Sequence, residues 1–296
     1  MAKPRELRRR IKSVQSTRKI TKTMELVATS KLKRAQDRVV GARPYAGALV
    51  EVIGNLYSSE LAERFPLLRQ PGDGRGPGRV ALLLITSNRG LCGAFNAGLI
   101  REARRRLGEL EGRGAAVDLH LVGKKGVTFF KFAKRPVASQ RIDIGDKPIP
   151  SHAAELVAPL MAQFEAGALD AVEVVFAQFR SPVSTPPTTL RILPIAPPRA
   201  GKGGEGRGRA ANYILKPSAE AILESLLPLY VRNQVYRALV ETAAAEHGAR
   251  RTAMKNATDN AGEMLDLLQR TYNRARQGQI TQEIAEIVGG AEALKG

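Results

Sequence analysis
The loop Ser87–Phe95, SNRGLCGAF, holds the residue types in this chain best suited to chemistry: a lone thiol, Cys92, and two glycines directly after an apolar run. A thiolate there would be a nucleophile, and a glycine-containing turn between strand and helix can cradle a phosphate on its backbone N–H groups. The spacing supports neither. The loop lacks the Gly-Lys-Ser/Thr ending of a P-loop, and its glycines do not fit G-x-G-x-x-G. No histidine stands near Cys92 in sequence to activate it, so a tight strand-to-helix turn around a small buried thiol is the better reading. His120, His152 and His247 are scattered without metal-ligand spacing. The sequence therefore shows no catalytic constellation and calls for no cofactor or metal. Its elements must carry the explanation.

Lysine and arginine number 47 against 28 aspartate and glutamate, a net charge of +19. Such a balance fits an acidic partner: nucleic acid, an anionic membrane or an acidic protein. Tryptophan is absent and aromatic content is 5%, which argues against base-stacking platforms. A single cysteine rules out an internal disulfide and fits a reducing compartment. No apolar run reaches the roughly 20 residues that span a bilayer. The Arg-rich start, MAKPRELRRRIKSVQ, reads as mature protein rather than a transit peptide, since its apolar pattern runs on in phase.

Half of the excess charge, +10, sits between Met1 and Tyr57. There Ala28, Leu32, Ala35, Val39, Ala42, Ala46, Leu49, Ile53 and Leu56 alternate steps of four and three, the repeat of a supercoiled seam. Leu7, Ile11 and Val14 keep the phase. Arg18, Thr21 and Glu25 make the seam locally polar, and Met24 lies on an adjacent face. Pro44 should weaken this helix locally. A second run repeats the pattern through Ile222, Leu226, Leu229, Asn233, Tyr236, Val240, His247, Met254, Met264 and Ala275, with small residues in ETAAAEHGA for close approach. At about 1.5 Å per residue the two helices are roughly 80 and 110 Å long. Neither is stable alone over that length, so they are expected to wrap around each other.

Between them, RVALLLIT, AVDLHLVG, AVEVVFAQF and TTLRILPI read as strands, and NAGLIREARRRL, KKGVTFFKFA and HAAELVAPLMAQFEAG as helices. This alternation predicts a parallel-type sheet with helices on both faces, a Rossmann-like three-layer domain. The expected organisation is an N-terminal coiled-coil helix over 1–57, a central α/β domain over 75–200 and a C-terminal coiled-coil helix over 209–296. Inserting a domain at one end of the pair makes the helices antiparallel. The longer second helix then overshoots as ITQEIAEIVGG, with Ile280, Ile284, Ile287 and Val288 on one face that another molecule must cover.

The basic first helix differs from a free DNA-reading helix, whose apolar heptads begin only beyond the basic region. Here Lys31, Lys33, Arg34 and Arg38 interleave with the seam. A solvated flank and an acidic protein partner both fit; nucleic acid is not expected.

These segments resemble the gamma subunit family of rotary F-type ATP synthases over nearly the whole chain. ITQEIAEIVGGAEA is similar to that family's carboxyl-terminal signature. IKSVQSTRKITKTMELVATSKLKRAQDR resembles its first helix, SNRGLCGAFN its strand-to-helix turn, and AMKNATDNA a further segment. Asn88 departs from the aspartate common there. The resemblance implies a non-catalytic rotor shaft that couples proton flow to ATP synthesis or hydrolysis. Its partners would be three alpha and three beta subunits, the epsilon subunit and the membrane c-ring, with attachment to the cytoplasmic face of a bacterial inner membrane only through that complex. It further implies that Arg276 and Gln277 bond a beta loop, that Arg250, Thr281 and Glu283 take part in coupling, and that Lys22, Met24 and Arg89 pass close to beta. Ile280, Ile284, Ile287 and Val288 would form a bearing tip. The rivals are a nucleic-acid-binding coiled coil and a Rossmann-like enzyme with helical arms.

Overall fold
The computed structural model describes residues 4–56, 64–69, 78–195 and 218–293. The domain boundaries expected at 57, 75, 200 and 209 lie outside those residues. In order, the elements are helix α1 (Pro4–Leu56), a 3-10 turn (Pro66–Leu68), β1 (Arg79–Ile85), α2 (Phe95–Gly112), β2 (Ala116–Val122) and α3 (Lys124–Phe132). There follow β3 (Ser139–Arg141), α4 (Pro150–Glu165), β4 (Ala171–Ala177), β5 (Pro187–Leu193) and α5 (Ala219–Ala293). The chain divides into two compact units, Met1–Thr29 with Arg250–Gly296, and Ser30–Ala249.

In the second unit the five strands lie in the order β3-β2-β1-β4-β5. The β1–β2, β1–β4 and β2–β3 pairs are parallel. β5 runs antiparallel to β4, a direction the expected parallel-type sheet left open. Its cause is the short Pro-rich connection, since a parallel return needs a crossover of a dozen or more residues. β3 is a three-residue edge strand, SQR, and carries no apolar signal in the sequence.

Side chains leave β1 alternately to two faces. Ala81, Leu83 and Ile85 join Val172 and Val174 of β4 against Val157, Leu160 and Phe164 of α4. Leu82 and Leu84 join Val175 against Leu99 and Ala103 of α2 and Val127 and Phe130 of α3. Helices thus cover both faces, and the sheet is the middle of three layers. The long helices complete both cores: Ile53, Leu223, Leu227 and Leu239 enter the first, and Leu32, Val39, Val240 and Ala245 the second.

The seam read along α1 is buried at Ala28, Leu32, Ala35, Val39, Leu49, Ile53 and Leu56. The side chain of Ala42 lies outside the described residues. Along α5 the buried wall runs instead through Leu223, Leu227, Val231, Val235 and Ala238, one or two residues past the expected Ile222, Leu226, Leu229, Asn233 and Tyr236. Leu229 is exposed. Farther on, Leu265 replaces Met264, which is 54% exposed. The cause is plain in the first stretch, where α5 packs against the α/β core as well as α1 and its buried stripe follows both.

α5 also takes the end of β4 by polar bonds. The Ala177 N–H donates to Thr242 Oγ1 at 3.3 Å, and the Phe179 N–H donates to Glu241 Oε2 at 3.1 Å. Arg237 holds the other oxygen of Glu241 at 2.7 Å.

In the first unit, Arg8 donates to the Tyr272 hydroxyl at 2.8 Å and Thr258 meets Thr21 at 2.8 Å. Climbing α1 therefore means descending α5, and the pair is antiparallel. By the same pairing Pro4 lies level with roughly position 275 of α5. From Arg276 to Ala291 every residue of α5 is exposed.

Candidate functional surfaces
The turn after β1 is built as a rigid bracket. The Ser87 N–H and hydroxyl both donate to Asn96 Oδ1, at 3.1 and 3.0 Å. Asn88 spans two elements: its amide donates to the carbonyls of Ile142 and Ile144 at 3.0 and 2.9 Å, and its oxygen accepts the Lys124 N–H at 2.8 Å. Leu91 and Gly93 adopt left-handed φ values of 62° and 58°. Cys92 is buried, with Asn96 Nδ2 3.1 Å from its sulfur. The turn uses its polar groups on itself and on the neighbouring segments, and turns Arg89 and Leu91 outward. Beside it, burial pushes the Asp146 carboxyl up, but the Lys31 hydrogen bond and the charges of His247, Lys31 and Arg89 hold it below its usual range.

Glu173 is the most buried carboxylate of the sheet and the natural candidate for acid–base work. It is already saturated. Arg106 grips it bidentately at 2.6 and 2.7 Å, with Arg191 at 3.3 Å. Burial alone would raise its pKa; the two guanidinium groups outweigh that and leave it lowered. The histidines are similarly engaged. His120 bonds Ser139 at 2.7 Å, with burial lowering its pKa, and His152 accepts the Ile149 N–H at 3.4 Å. His247 is 2% exposed. Among the described residues no buried side-chain N or O lacks a hydrogen-bond partner, and no cluster could hold a metal ion.

The residues singled out from the sequence fall on both units. Lys22 and Met24 stand on α1, Lys22 exposed and paired with Glu25 at 3.1 Å, Met24 half-buried. Arg250 is half-buried on α5. Arg276, Gln277, Thr281 and Glu283 follow on the exposed stretch, where Thr281 donates to the Gln277 carbonyl at 3.0 Å and Glu283 accepts from Gln279 at 2.9 Å. They share that stretch with Ile280, Ile284, Ile287 and Val288, which are 45, 56, 71 and 58% exposed. Lys22 and Met24 are not brought to that group: position 255, level with Met24, precedes Arg276 by about 30 Å of helix. Arg89 lies in the other unit. Sequence reasoning missed the bracketing role of Asn88 and the Arg106–Glu173 pair, whose members are 67 positions apart.

A family model described as ATP synthase matches residues 3–294. An ATP synthase gamma chain from Gemmatimonas aurantiaca is 62% identical over 296 residues, covering all of both chains. The chain belongs to the ATP synthase gamma chain family. A second relative of that name, from Moorella thermoacetica, is 47% identical over 295 residues with full coverage of both. Among solved structures, a chain of the Tetrahymena thermophila mitochondrial ATP synthase central stalk and c-ring matches 80% of this chain and 99% of its own, at 25% identity and a TM-score of 0.59. A chain of the Euglena gracilis mitochondrial ATP synthase shares the fold over 98% of this chain and 94% of its own, with a TM-score of 0.67 at 20% identity. As a gamma chain, the protein is a non-catalytic central-stalk subunit, with catalysis on other subunits. It serves ATP synthesis and proton transport as a peripheral part of a membrane-bound complex. Among the described residues no helix is long and apolar enough to cross a membrane.

Proposed function
We propose that this chain is the torque-carrying shaft between a membrane c-ring and a catalytic ring of three alpha and three beta subunits, with epsilon beside it. The observation that carries this reading is the stretch from Arg276 to Ala291, a single helix exposed on every side and striped with Ile280, Ile284, Ile287 and Val288. Burying four such side chains, already partly covered, would contribute roughly 1–2 kcal/mol each, so a surrounding apolar collar would be a favourable seat. Lys22, Met24, Arg89, Arg250, Arg276, Gln277, Thr281 and Glu283 are then the polar and flanking contacts to beta. A cationic α1 would meet acidic partner surfaces through steering and sliding contact. The division at 1–57, 75–200 and 209–296 marks shaft helices and head by chain position, while Leu32 to Leu56 and Leu223 to Ala245 also pack into the core of the head.

One asymmetric shaft inside a threefold ring touches three equivalent sites differently. A partner shifts a conformational equilibrium only by its differential contact energy, so rotation would drive each beta subunit through its states in turn. The bacterial sources of two relatives matched over their full length support the cytoplasmic face of the inner membrane as the location.

The test is Ile284→Glu with Ile287→Glu. Both side chains are exposed in the free chain, so helicity and thermal unfolding stay unchanged. The yield of the assembled complex falls at least about tenfold, equivalent to roughly 1.4 kcal/mol of lost seating energy. Normal assembly together with normal ATP-driven proton pumping would sink the bearing role.

A further inference from the structure
Helix α2 carries three distinct stripes. Leu99, Ala103, Leu107 and Leu110 enter the core. Arg105 and Arg106 are neutralised by Glu102, Glu109 and Glu173. The third stripe, Ala97, Ile100, Arg101 and Arg104, faces α3 across an open groove of about 560 Å³. Helix α3 buries Val127 and Phe130 and turns Lys125, Phe129 and Phe132 to that same groove. Phe129 is braced edge-on against Phe130, with ring centroids 5.3 Å apart. Phe132 stands 87% exposed.

The groove therefore has an apolar floor of Ile100, Phe129 and Phe132 under a rim of three cations. Among the described residues no carboxylate lines it. On a helix where the neighbouring arginines are each matched by glutamates, this unbalanced rim is a charge pattern aimed outward. We propose that the α2–α3 groove docks an acidic amphipathic helix of a protein partner. Two helices flanking an apolar trough accept a third by its i, i+3/i+4 and i+7 side chains, and acidic residues beside those anchors meet Arg101, Arg104 and Lys125. A second copy of this chain is a poor occupant, because a twofold contact would set the three cations against themselves. None of its lining residues is among those assigned as contacts to beta.

The test uses the full chain in its assembled complex. The probe is a fluorescent helical peptide of about 18 residues, roughly five turns, with leucines on one face and glutamates beside them. It binds with a dissociation constant of about 50 µM or tighter, and more weakly as salt rises. Phe132→Asp, and Arg101→Glu with Arg104→Glu, each weaken it at least about tenfold, as expected for anchor positions. Both variants leave thermal unfolding and ATP hydrolysis by the complex unchanged, since the side chains are exposed. The proposal is overturned if binding survives both variants or if a lysine-flanked peptide binds equally well. It is also overturned if vesicles of anionic lipid, and not the peptide, bind through Phe132, or if Phe132→Asp abolishes a self-association of the chain.

Discussion
The side-chain oxygens of Thr21 and Thr258 lie 2.8 Å apart, both buried between α1 and α5. Each also bonds its own helix, Thr21 to the Arg18 carbonyl at 3.1 Å and Thr258 to the Met254 carbonyl at 2.8 Å. A polar layer in an apolar seam fixes how two helices align, because sliding would break the bond between them and set each hydroxyl against apolar neighbours. Thr21→Val or Thr258→Val alone costs about 1 kcal/mol in chemical denaturation. The double replacement restores a matched, apolar layer and costs no more than either single one. Strictly additive losses would show that the two hydroxyls are uncoupled.

Asn88 acts in this chain as an amide, donating twice and accepting once. Asn88→Asp loses both donors to the Ile142 and Ile144 carbonyls and points a negative charge at two carbonyl oxygens. The expected loss is about 1–3 kcal/mol near neutral pH, measured by thermal unfolding. The deficit shrinks below about pH 4, where the new side chain is protonated and one donor returns. A melting temperature equal to that of the parent would contradict this assignment.

Arg106 and Glu173 set an acid-side dependence. The folded carboxyl is held below its ordinary range, so its contribution is fully present above the unfolded value of about 4.5 and is lost as pH falls through the lower folded value. Arg106→Met leaves a buried carboxylate with Arg191 alone and costs about 3–5 kcal/mol at pH 7. In that variant burial prevails and the carboxyl pKa rises, so the gap to the parent narrows with acidification. A gap that widens as pH falls would refute the pairing argument.

Gly123 closes the junction between β2 and α3 at φ 96°, where an added Cβ would sit 2.1 Å from the Thr86 carbonyl oxygen. That atom belongs to the backbone and cannot swing aside. Gly123→Ala is expected to cost at least about 3 kcal/mol, read as a lowered denaturation midpoint with an unchanged slope. A loss under about 1 kcal/mol would mean that the strand end yields.

What the sequence disclosed depended on how many surfaces each residue had to satisfy. The α1 seam was legible because its buried residues form one narrow stripe. The early α5 stripe was misplaced because Leu223, Val231 and Val235 satisfy the α/β core, which no heptad count contains. β5 was read as a strand, but its direction depended on connection length. Which arginines of α2 are neutralised was hidden, since Glu173 comes from a strand far along the chain. The exposed isoleucines stood out early because nothing in the described chain competes for them.

Leu32 and Ala245 belong to one hydrophobic cluster together with Leu82, Leu119 and Val175. A nascent chain cannot complete that cluster until the ribosome has released everything through Ala245, so this face of the α/β layers is finished late. Folding must wait for contacts of very long sequence separation, which are slow to form and leave strand edges open meanwhile. An emerging polypeptide that stops short of Ala245 would therefore leave that face of the sheet without part of its cover.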